Sequence, residues 1–211
     1  MIEPQIKIHL GDCMEAMAKM PDNAYQLAII DPPYGIGEDG GKARTRGSKR
    51  TNGQKKGWDN GRPNSEYFTE LIRVSKNQII WGANYFVEHL TKGTKGWVVW
   101  FKGQIGLTMS DCELAYSSFQ RATRVVNINR VDLLKQNTIH PTEKPIRLYQ
   151  WLLDNYAEKG HKILDTHLGS GSIAIACHNL GYDLTACELD KDYYDAAIKR
   201  IEQHKAQQRL F

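Results

Sequence analysis

The sequence has few cysteines and no long apolar run, and both absences narrow what the protein can be. Its 211 residues include four cysteines, and no two of them form a Cys-x-x-Cys pair. None lies at zinc-ligand spacing from a histidine, so we expect reduced cysteines and no resident metal ion. No run of about 18 apolar residues occurs, which excludes a membrane-spanning helix. No basic stretch followed by an apolar core marks a secretory signal, so we expect a cytoplasmic location.

The overall composition is that of a globular domain with a substantial core. Hydrophobic residues make up 41% of the chain and charged residues 25%. No internal repeat divides the sequence. We therefore predict a single domain that spans residues 1–211.

The positive charge is concentrated in one segment. The net charge is only +4, but the stretch from Gly35 to Pro63 contains eight basic and three acidic residues. This stretch carries +5 and the remainder about −1. It is glycine-rich and lacks periodicity, which predicts a mobile loop over residues 35–63 that contacts a polyanion. Its candidate contacts are Lys42, Arg44, Arg46, Lys49, Arg50, Lys55 and Lys56.

Strand and helix patterns alternate along the chain. Apolar runs such as "QLAII", "QIIW" and "GWVVWF" indicate buried strands, and amphipathic stretches such as "PIRLYQWLLDNYAE" indicate helices. This order predicts a doubly wound α/β fold with a mainly parallel sheet. The runs "CELAYSSF" and "TRVVNIN" are expected to form an antiparallel hairpin at one edge.

Acidic residues follow four of the predicted strands. They are Asp12, Asp31, Asp165 and Glu188. In doubly wound sheets, ligands bind beyond the carboxyl ends of the strands. We therefore expect these side chains to meet at one site.

A glycine-rich turn predicts the cofactor. Residues 163–176, "ILDTHLGSGSIAIA", read as strand, turn and helix, and Gly169 and Gly171 begin a loose G-x-G-x-x-A pattern. Glu188, after the next strand, can accept hydrogen bonds from ribose hydroxyls. Both a nicotinamide cofactor and S-adenosylmethionine satisfy this pattern. Asp165 would repel a pyrophosphate but can hold an α-amino group, which favours S-adenosylmethionine.

The stretch Asp31-Pro32-Pro33-Tyr34 suits methylation of an exocyclic amine. Such an amine is a poor nucleophile, because its lone pair is delocalised into the ring. Asp31 and the Pro32 carbonyl can accept its hydrogen bonds, and the two prolines fix the direction of the acceptors. Tyr34 offers a flat face for a base removed from its stack. Cytosine C5 chemistry is not supported, since no cysteine follows a proline.

A third motif lies at the start of a predicted helix. The stretch "HPTEKP" contains His140, Thr142 and Lys144, and Pro145 is compatible with a first helical turn. A lysine beside a helix N-terminus is a good site for a carboxylate, here the methionine end of the cofactor.

Together the three motifs, in this order, resemble the amino-methylating DNA methyltransferases of the permuted β type. The resemblance covers roughly residues 7 to 205. It implies a Rossmann-like methyltransferase fold and transfer of a methyl group from S-adenosyl-L-methionine to adenine N6 in duplex DNA. Asp31, Pro32 and Tyr34 are then catalytic. The cofactor contacts are Asp12, Asp31, His140, Thr142, Lys144, Asp165, His167, Gly169, Ser170, Gly171 and Glu188.

The sequence departs from this family in two places. Thr166-His167 stands where the family usually has Pro-Phe, which puts in doubt an aromatic packed on the cofactor. The recognition insert is reduced to about twenty residues, 120–139, with Arg121, Arg124 and Arg130 as candidate DNA contacts. Such compact members are frequent in phage and prophage settings, often without a restriction endonuclease.

Three alternatives remain open on the sequence alone. The enzyme can instead methylate cytosine N4 or structured RNA. A nicotinamide oxidoreductase shares the glycine turn but leaves the other two motifs without a task. A catalytically silent DNA-binding protein would retain the fold without turnover.

Overall fold

An eight-stranded sheet organises the part of the chain that the computed structural model describes, residues 3–39, 56–90, 92–106, 110–129, 139–140 and 142–208. The strands are β1 (Ile6–Leu10), β2 (Leu27–Ile30), β3 (Gln78–Trp81), β4 (Gly96–Phe101), β5 (Cys112–Ser117), β6 (Arg124–Asn127), β7 (Lys162–Asp165) and β8 (Asp183–Glu188). The α-helices are α1 (Cys13–Met17), α2 (Ser65–Val74), α3 (Ile146–Tyr156), α4 (Ser172–Leu180) and α5 (Lys191–Gln208). Two short 3-10 turns, Ala83–Tyr85 and Val87–His89, follow β3.

The strand order is β1-β8-β7-β2-β3-β5-β4-β6. All neighbouring pairs are parallel except those made by β5, which runs antiparallel to both β3 and β4. The chain proceeds from β7 through α4 to β8 on one side, and from β2 through α2 to β3 on the other. The topological switch point therefore lies between β7 and β2, and the predicted doubly wound α/β fold is confirmed.

One detail of the predicted sheet is wrong. The expected hairpin between "CELAYSSF" and "TRVVNIN" does not form, because β4 lies between β5 and β6. The antiparallel partners of β5 are β4 and β3, and the outer strand β6 is parallel to β4. Apolar periodicity identifies strands but carries no information on which neighbour each one pairs with.

The core has two layers, one on each face of the sheet. Alternate side chains of a strand point to opposite faces. Accordingly, Leu27 and Ile29 of β2 join the layer that contains α3 and α4, while Ala28 and Ile30 join the layer that contains α2. All four are buried, as expected for a strand covered on both sides. Asp31 is the first residue beyond this buried strand.

Residues next to the helices set two of the helix ends. The Asn64 side chain accepts a hydrogen bond from the Tyr67 N–H at 3.1 Å and caps α2. Gly181 ends α4 at φ 78°, a left-handed conformation that favours glycine. In the described ranges, no helix is long and apolar enough to cross a membrane.

Candidate active site

A cleft of about 1220 Å³ opens at the carboxyl ends of β2 and β7, at the switch point of the sheet. All three sequence motifs line it. Its volume exceeds the range of roughly 300–1,000 Å³ common for one small ligand, which leaves room for a cofactor and a flipped base together. The predicted site residues that line it are Asp12, Asp31, Pro32, Tyr34, His140, Thr142, Lys144, His167, Gly169, Ser170 and Glu188.

Two predicted residues, Asp165 and Gly171, are next to the lining of the cleft but not part of it. Asp165 is buried at the end of β7, where its carboxylate accepts the His167 N–H at 3.0 Å. Gly171 packs against α5, and a Cβ there would lie 3.3 Å from the Cβ of Ala197. With φ at 75°, Gly171 also holds a conformation that favours glycine.

Each oxygen of the Asp31 carboxylate has one donor. The Tyr34 hydroxyl donates to its Oδ1 at 2.5 Å, and the Lys144 ammonium contacts its Oδ2. Burial raises the pKa of Asp31 although Lys144 opposes this shift. Burial and the neighbouring Asp31 raise the pKa of Tyr34 well above its usual range, so the hydroxyl keeps its proton and donates.

Two charged residues that the sequence did not single out complete this cluster. Glu113, on β5, lies 3.1 Å from the Lys144 Nζ and 2.8 Å from the Nζ of Lys102, which follows β4. Despite burial, these two ammonium groups lower the pKa of Glu113 to about 2. Burial opposes the charge on Lys144, but Asp31 and Glu113 raise its pKa overall. In the sequence, these two residues differ from their neighbours only in charge: Glu113 lies within the strand pattern "CELAYSSF", and Lys102 directly follows "GWVVWF".

The ring of Tyr34 is held by its neighbours. It stacks on Tyr85 with ring centroids 5.1 Å apart and planes inclined by 17°, and Phe86 meets it edge-on. Gly82, at φ 68°, lies so close to the ring that a Cβ would come within 2.1 Å of Tyr34 Cε1. The tyrosine of the motif is therefore fixed before any base is present.

Glu188 organises the part of the cleft next to the glycine turn. Its carboxylate accepts the N–H groups of Gly169 at 2.8 Å and Asp190 at 2.9 Å, which ties the glycine turn to the end of β8. Each carboxylate oxygen keeps a further lone pair for a hydroxyl donor. Among the described residues, no side chain caps the N-terminus of α4, which follows the glycine turn.

Burial raises the pKa of Asp165 to about 8, because no cation is paired with it in the described structure. A buried carboxylate with this environment favours a cationic partner. The two histidines of the motifs are neutral, since burial lowers the pKa of both His140 and His167 to about 4. The His167 Nδ1 joins a hydrogen-bonded chain through Thr166 to the Tyr67 hydroxyl.

The ends of the predicted 35–63 loop are fixed to the molecule. The buried carboxylate of Asp59 accepts the N–H groups of Gly35 and Glu38, both at 2.7 Å. Asp39, also buried, accepts the Gly57 N–H at 2.5 Å. Both ends of the loop therefore lie at the mouth of the cleft, where these hydrogen bonds hold them in place.

Lys56, one of the predicted DNA contacts, is held by contacts within the protein. Its ammonium lies 2.7 Å from both Asp190 and Asp192, and 4.4 Å from the ring centroid of Tyr193. These contacts hold the segment 56–62 against the start of α5. The other candidate contacts of this loop lie outside the described residues: Lys42, Arg44, Arg46, Lys49, Arg50 and Lys55.

The two arginines described in the 120–139 segment, also predicted DNA contacts, lie away from the cleft. Arg124 is at the amino end of β6 and pairs with Val98 at the start of β4, so it lies at the rim opposite the cleft. Arg121 donates to the Asn155 carbonyl at 2.6 Å, at the far end of α3. A strand runs from one rim to the other, and sequence position alone does not say at which rim a residue lies. Arg130 lies outside the described residues.

The cysteines are free thiols, as expected. Burial raises the pKa of Cys13 to about 12 and that of Cys187 to about 11, so neither is a nucleophile at neutral pH. Among the described side chains, no group of three or more His, Cys, Asp or Glu residues is arranged to hold a metal ion.

Comparisons with known proteins agree with this geometry. The family model of DNA methylases, N6_N4_Mtase, matches residues 80–199. The chain is 26% identical to YubD of Escherichia coli (strain K12) over 211 residues, which covers 90% of this chain and 88% of YubD.

Solved structures share the fold. The M1.HpyAVI–SAM complex superposes with a TM-score of 0.65 at 17% identity and covers 93% of this chain and 100% of its own. The cytosine-N4-specific PvuII DNA methyltransferase superposes with a TM-score of 0.61 at 12% identity, covering 92% of this chain and 85% of its own.

The described residues in and next to the cleft fit S-adenosylmethionine: an acid at the end of β8, a glycine turn that leads into a helix, and a buried carboxylate that no described cation pairs with. The cofactor predicted from the sequence is confirmed for the family. The family model covers more than half of the chain. The chain belongs to the N6_N4_Mtase family of DNA methylases and is an S-adenosylmethionine-dependent DNA methyltransferase.

Proposed function

We propose that this enzyme methylates the N6 amino group of adenine in duplex DNA. The observation that carries the proposal is the place of Asp31, at the end of β2 and in the same cleft as the glycine turn and Glu188. A carboxylate accepts hydrogen bonds without donating, as an exocyclic amine requires. The motif Asp-Pro-Pro-Tyr supports adenine, since members that act on cytosine N4 usually carry serine in place of Asp31.

Asp31 and the Pro32 carbonyl orient the amine. They accept its two N–H groups, so that the nitrogen lone pair points along the line of transfer. Pro32 and Pro33 lack N–H donors and have restricted φ, which keeps the direction of these acceptors constant. Direct transfer forms the N–C bond and breaks the C–S bond, whose electron pair stays on sulfur. The amine then loses a proton, which Asp31 receives.

Named residues hold the cofactor in this proposal. Glu188 accepts the ribose hydroxyls, Asp165 receives the ammonium group, and the N-terminus of α4 receives the carboxylate. Asp12 lies near the adenine ring. When bound, the cofactor supplies an electrophilic methyl group on a sulfonium. Because Lys144 contacts Asp31, we assign it to neutralising that carboxylate instead of binding the methionine end.

The DNA contacts are proposed for the basic stretch. Six basic residues and no acidic residue lie between Gly40 and Lys55, and the flanking residues are fixed at the mouth of the cleft. Such a segment can follow phosphates next to a flipped base. Tyr34 and its partner Tyr85 offer the aromatic surface nearest to Asp31.

Product analysis tests the proposal. Purified enzyme, labelled cofactor and duplex DNA should give label in N6-methyladenine after digestion to nucleosides. Asp31→Asn should lower the transfer rate by about 10²-fold or more, because the amide would present a donor to the amine. Asp195→Asn is the matched control, since Asp195 is exposed on α5 and pairs only with Lys191 in the described structure.

The likeness to the PvuII enzyme supports cytosine N4 as the second candidate. Label in N4-methylcytosine would establish that alternative and refute the adenine assignment. Label found only on structured RNA would show that the substrate is RNA instead of DNA. Binding of DNA and cofactor without any transfer would identify a catalytically silent DNA-binding protein.

A further inference from the structure

The described structure shows a conflict between the resting cluster and the proposed reaction. Both oxygens of Asp31 already have donors, the Tyr34 hydroxyl and the Lys144 ammonium. Each oxygen keeps a further lone pair, but an ammonium held on a carboxylate weakens that carboxylate as an acceptor for the target amine. Asp31 is therefore a stronger acceptor once the Lys144 ammonium moves away from it.

Lys144 is the donor that has a second carboxylate within reach. Its Nζ already lies 3.1 Å from Glu113, whereas the Tyr34 hydroxyl has Asp31 as its acceptor and a ring fixed by stacking. The Lys144 side chain is 2% exposed, so an ammonium that left Asp31 without a new partner would be buried and unpaired. Such a charge is strongly destabilising.

Glu113 is suited to receive it. Its second oxygen is held by Lys102 at 2.8 Å, which keeps the carboxylate in position and ionised. The cluster contains two carboxylates and two ammonium groups, so it is neutral as a whole. A small movement of Lys144 from one carboxylate to the other leaves that balance unchanged.

We propose that Glu113 is a positioning residue for methyl transfer, which takes the Lys144 ammonium when the target amine takes its place on Asp31. The inference rests on the proposed function of Asp31. The antiparallel strand β5 then contributes to the reaction, because it places Glu113 between Lys102 and Lys144.

The pH dependence of transfer reports this arrangement. The titratable groups that face Asp31 come from every element around it: Tyr34, Lys144, Tyr149, Glu113 and Asp165. Glu113 is a negative neighbour that raises the pKa of Asp31. Without the negative charge of Glu113, the acidic limb of the rate profile should move to lower pH. Without Glu113, Lys144 also stays on Asp31, and the plateau rate should therefore be lower.

The experiment compares Glu113→Gln with the wild type in single-turnover assays at pH values from roughly 5 to 9. We expect a plateau rate lower by about 10²-fold, an acidic limb at lower pH and a dissociation constant for the cofactor within about threefold. Glu113→Asp keeps the charge and should give an intermediate rate with the limb in its original position.

A double variant separates positioning from charge balance. In Glu113→Gln/Lys102→Gln the cluster is neutral again, so thermal stability should recover, but Lys144 still has no second carboxylate and the rate should stay low. Recovery of the rate in the double variant, or a Glu113→Gln rate within about threefold of wild type, would overturn the proposal. If Glu113→Gln does not fold, Glu113→Asp and the double variant carry the same comparison.

The assay also separates this inference from the proposed function. Rates are measured on whichever base carries label with the wild-type enzyme. A product other than N6-methyladenine refutes the adenine assignment and leaves the comparison of variants intact.

Discussion

Asp165 is buried at a position where an ionised carboxylate is unfavourable, and this has opposite consequences for stability and binding. Its pKa is raised to about 8, above the ordinary value of an unfolded aspartate. For an acid with a raised folded pKa, stability is highest at low pH and is lost as pH rises toward that value. The side chain therefore destabilises the cofactor-free protein near neutral pH.

We expect Asp165→Asn to stabilise the cofactor-free protein by roughly 1–3 kcal/mol at pH 7, because each pKa unit corresponds to about 1.4 kcal/mol. The gain should shrink toward pH 4, where the unfolded aspartate is also protonated. Denaturant unfolding at several pH values measures it. Cofactor binding should weaken by at least about tenfold in calorimetry. Equal affinity in the variant would contradict the role of Asp165 in holding the ammonium.

Gly82 determines the position of Tyr34. A Cβ at this residue would meet the tyrosine ring at 2.1 Å, and φ 68° is already unfavourable for other residues. We expect Gly82→Ala to lower the free energy of unfolding by about 1–3 kcal/mol and to reduce transfer strongly, because the ring must move. Gly93→Ala is the control, since a Cβ there meets nothing within 4 Å. Wild-type activity in Gly82→Ala would show that the Tyr34 position is not required.

At the scale of elements, segment 56–62 contacts the start of α5 beside the cleft. Lys56 is held by Asp190 and Asp192, and Trp58 lies against the His140 ring with centroids 5.1 Å apart. His140 in turn contacts Tyr193 at 4.5 Å. The segment thus forms one wall beside Glu188.

We expect Lys56→Gln to weaken cofactor binding by about three- to tenfold, because the wall loses its ionic contacts to α5. The salt dependence of DNA binding should not change, since Lys56 is used within the protein. Lys191→Gln removes another lysine–aspartate pair of α5, on its exposed surface, and should leave both quantities as they are. A smaller salt slope in Lys56→Gln would restore this lysine to the DNA contacts.

At the scale of the whole molecule, the charge is unevenly distributed along the chain. The basic stretch carries the entire positive excess. Each phosphate contact contributes about −0.9 to the slope of log affinity against log salt on duplex DNA.

Replacing Lys42, Arg44, Arg46, Lys49, Arg50 and Lys55 by glutamine should therefore flatten the slope by up to about 5. The control is Arg121→Gln/Arg124→Gln at the opposite rim, which should leave the slope unchanged. Fluorescence anisotropy at several salt concentrations measures both. An unchanged slope in the first variant would mean that the stretch is only solvated.

Much of the fold could be predicted because its signals are local. The buried run of β2, the Asn64 cap and the Gly181 helix end depend on neighbouring residues alone. The pairing of β5 could not be predicted in the same way. Strand partners are chosen by packing between residues far apart in the chain, and periodicity is the same for either partner.

The same division applies to the site. The sequence by itself determined the three motifs, the cofactor class and the family, since each motif places its chemistry within a few consecutive residues. Only the tertiary structure decided that Lys144 contacts Asp31, that Glu113 and Lys102 complete the cluster, and that Lys56 is held by α5. These contacts join residues from separate strands and loops. A side chain's charge is written in the sequence, but its partner is set by the fold that brings the two together.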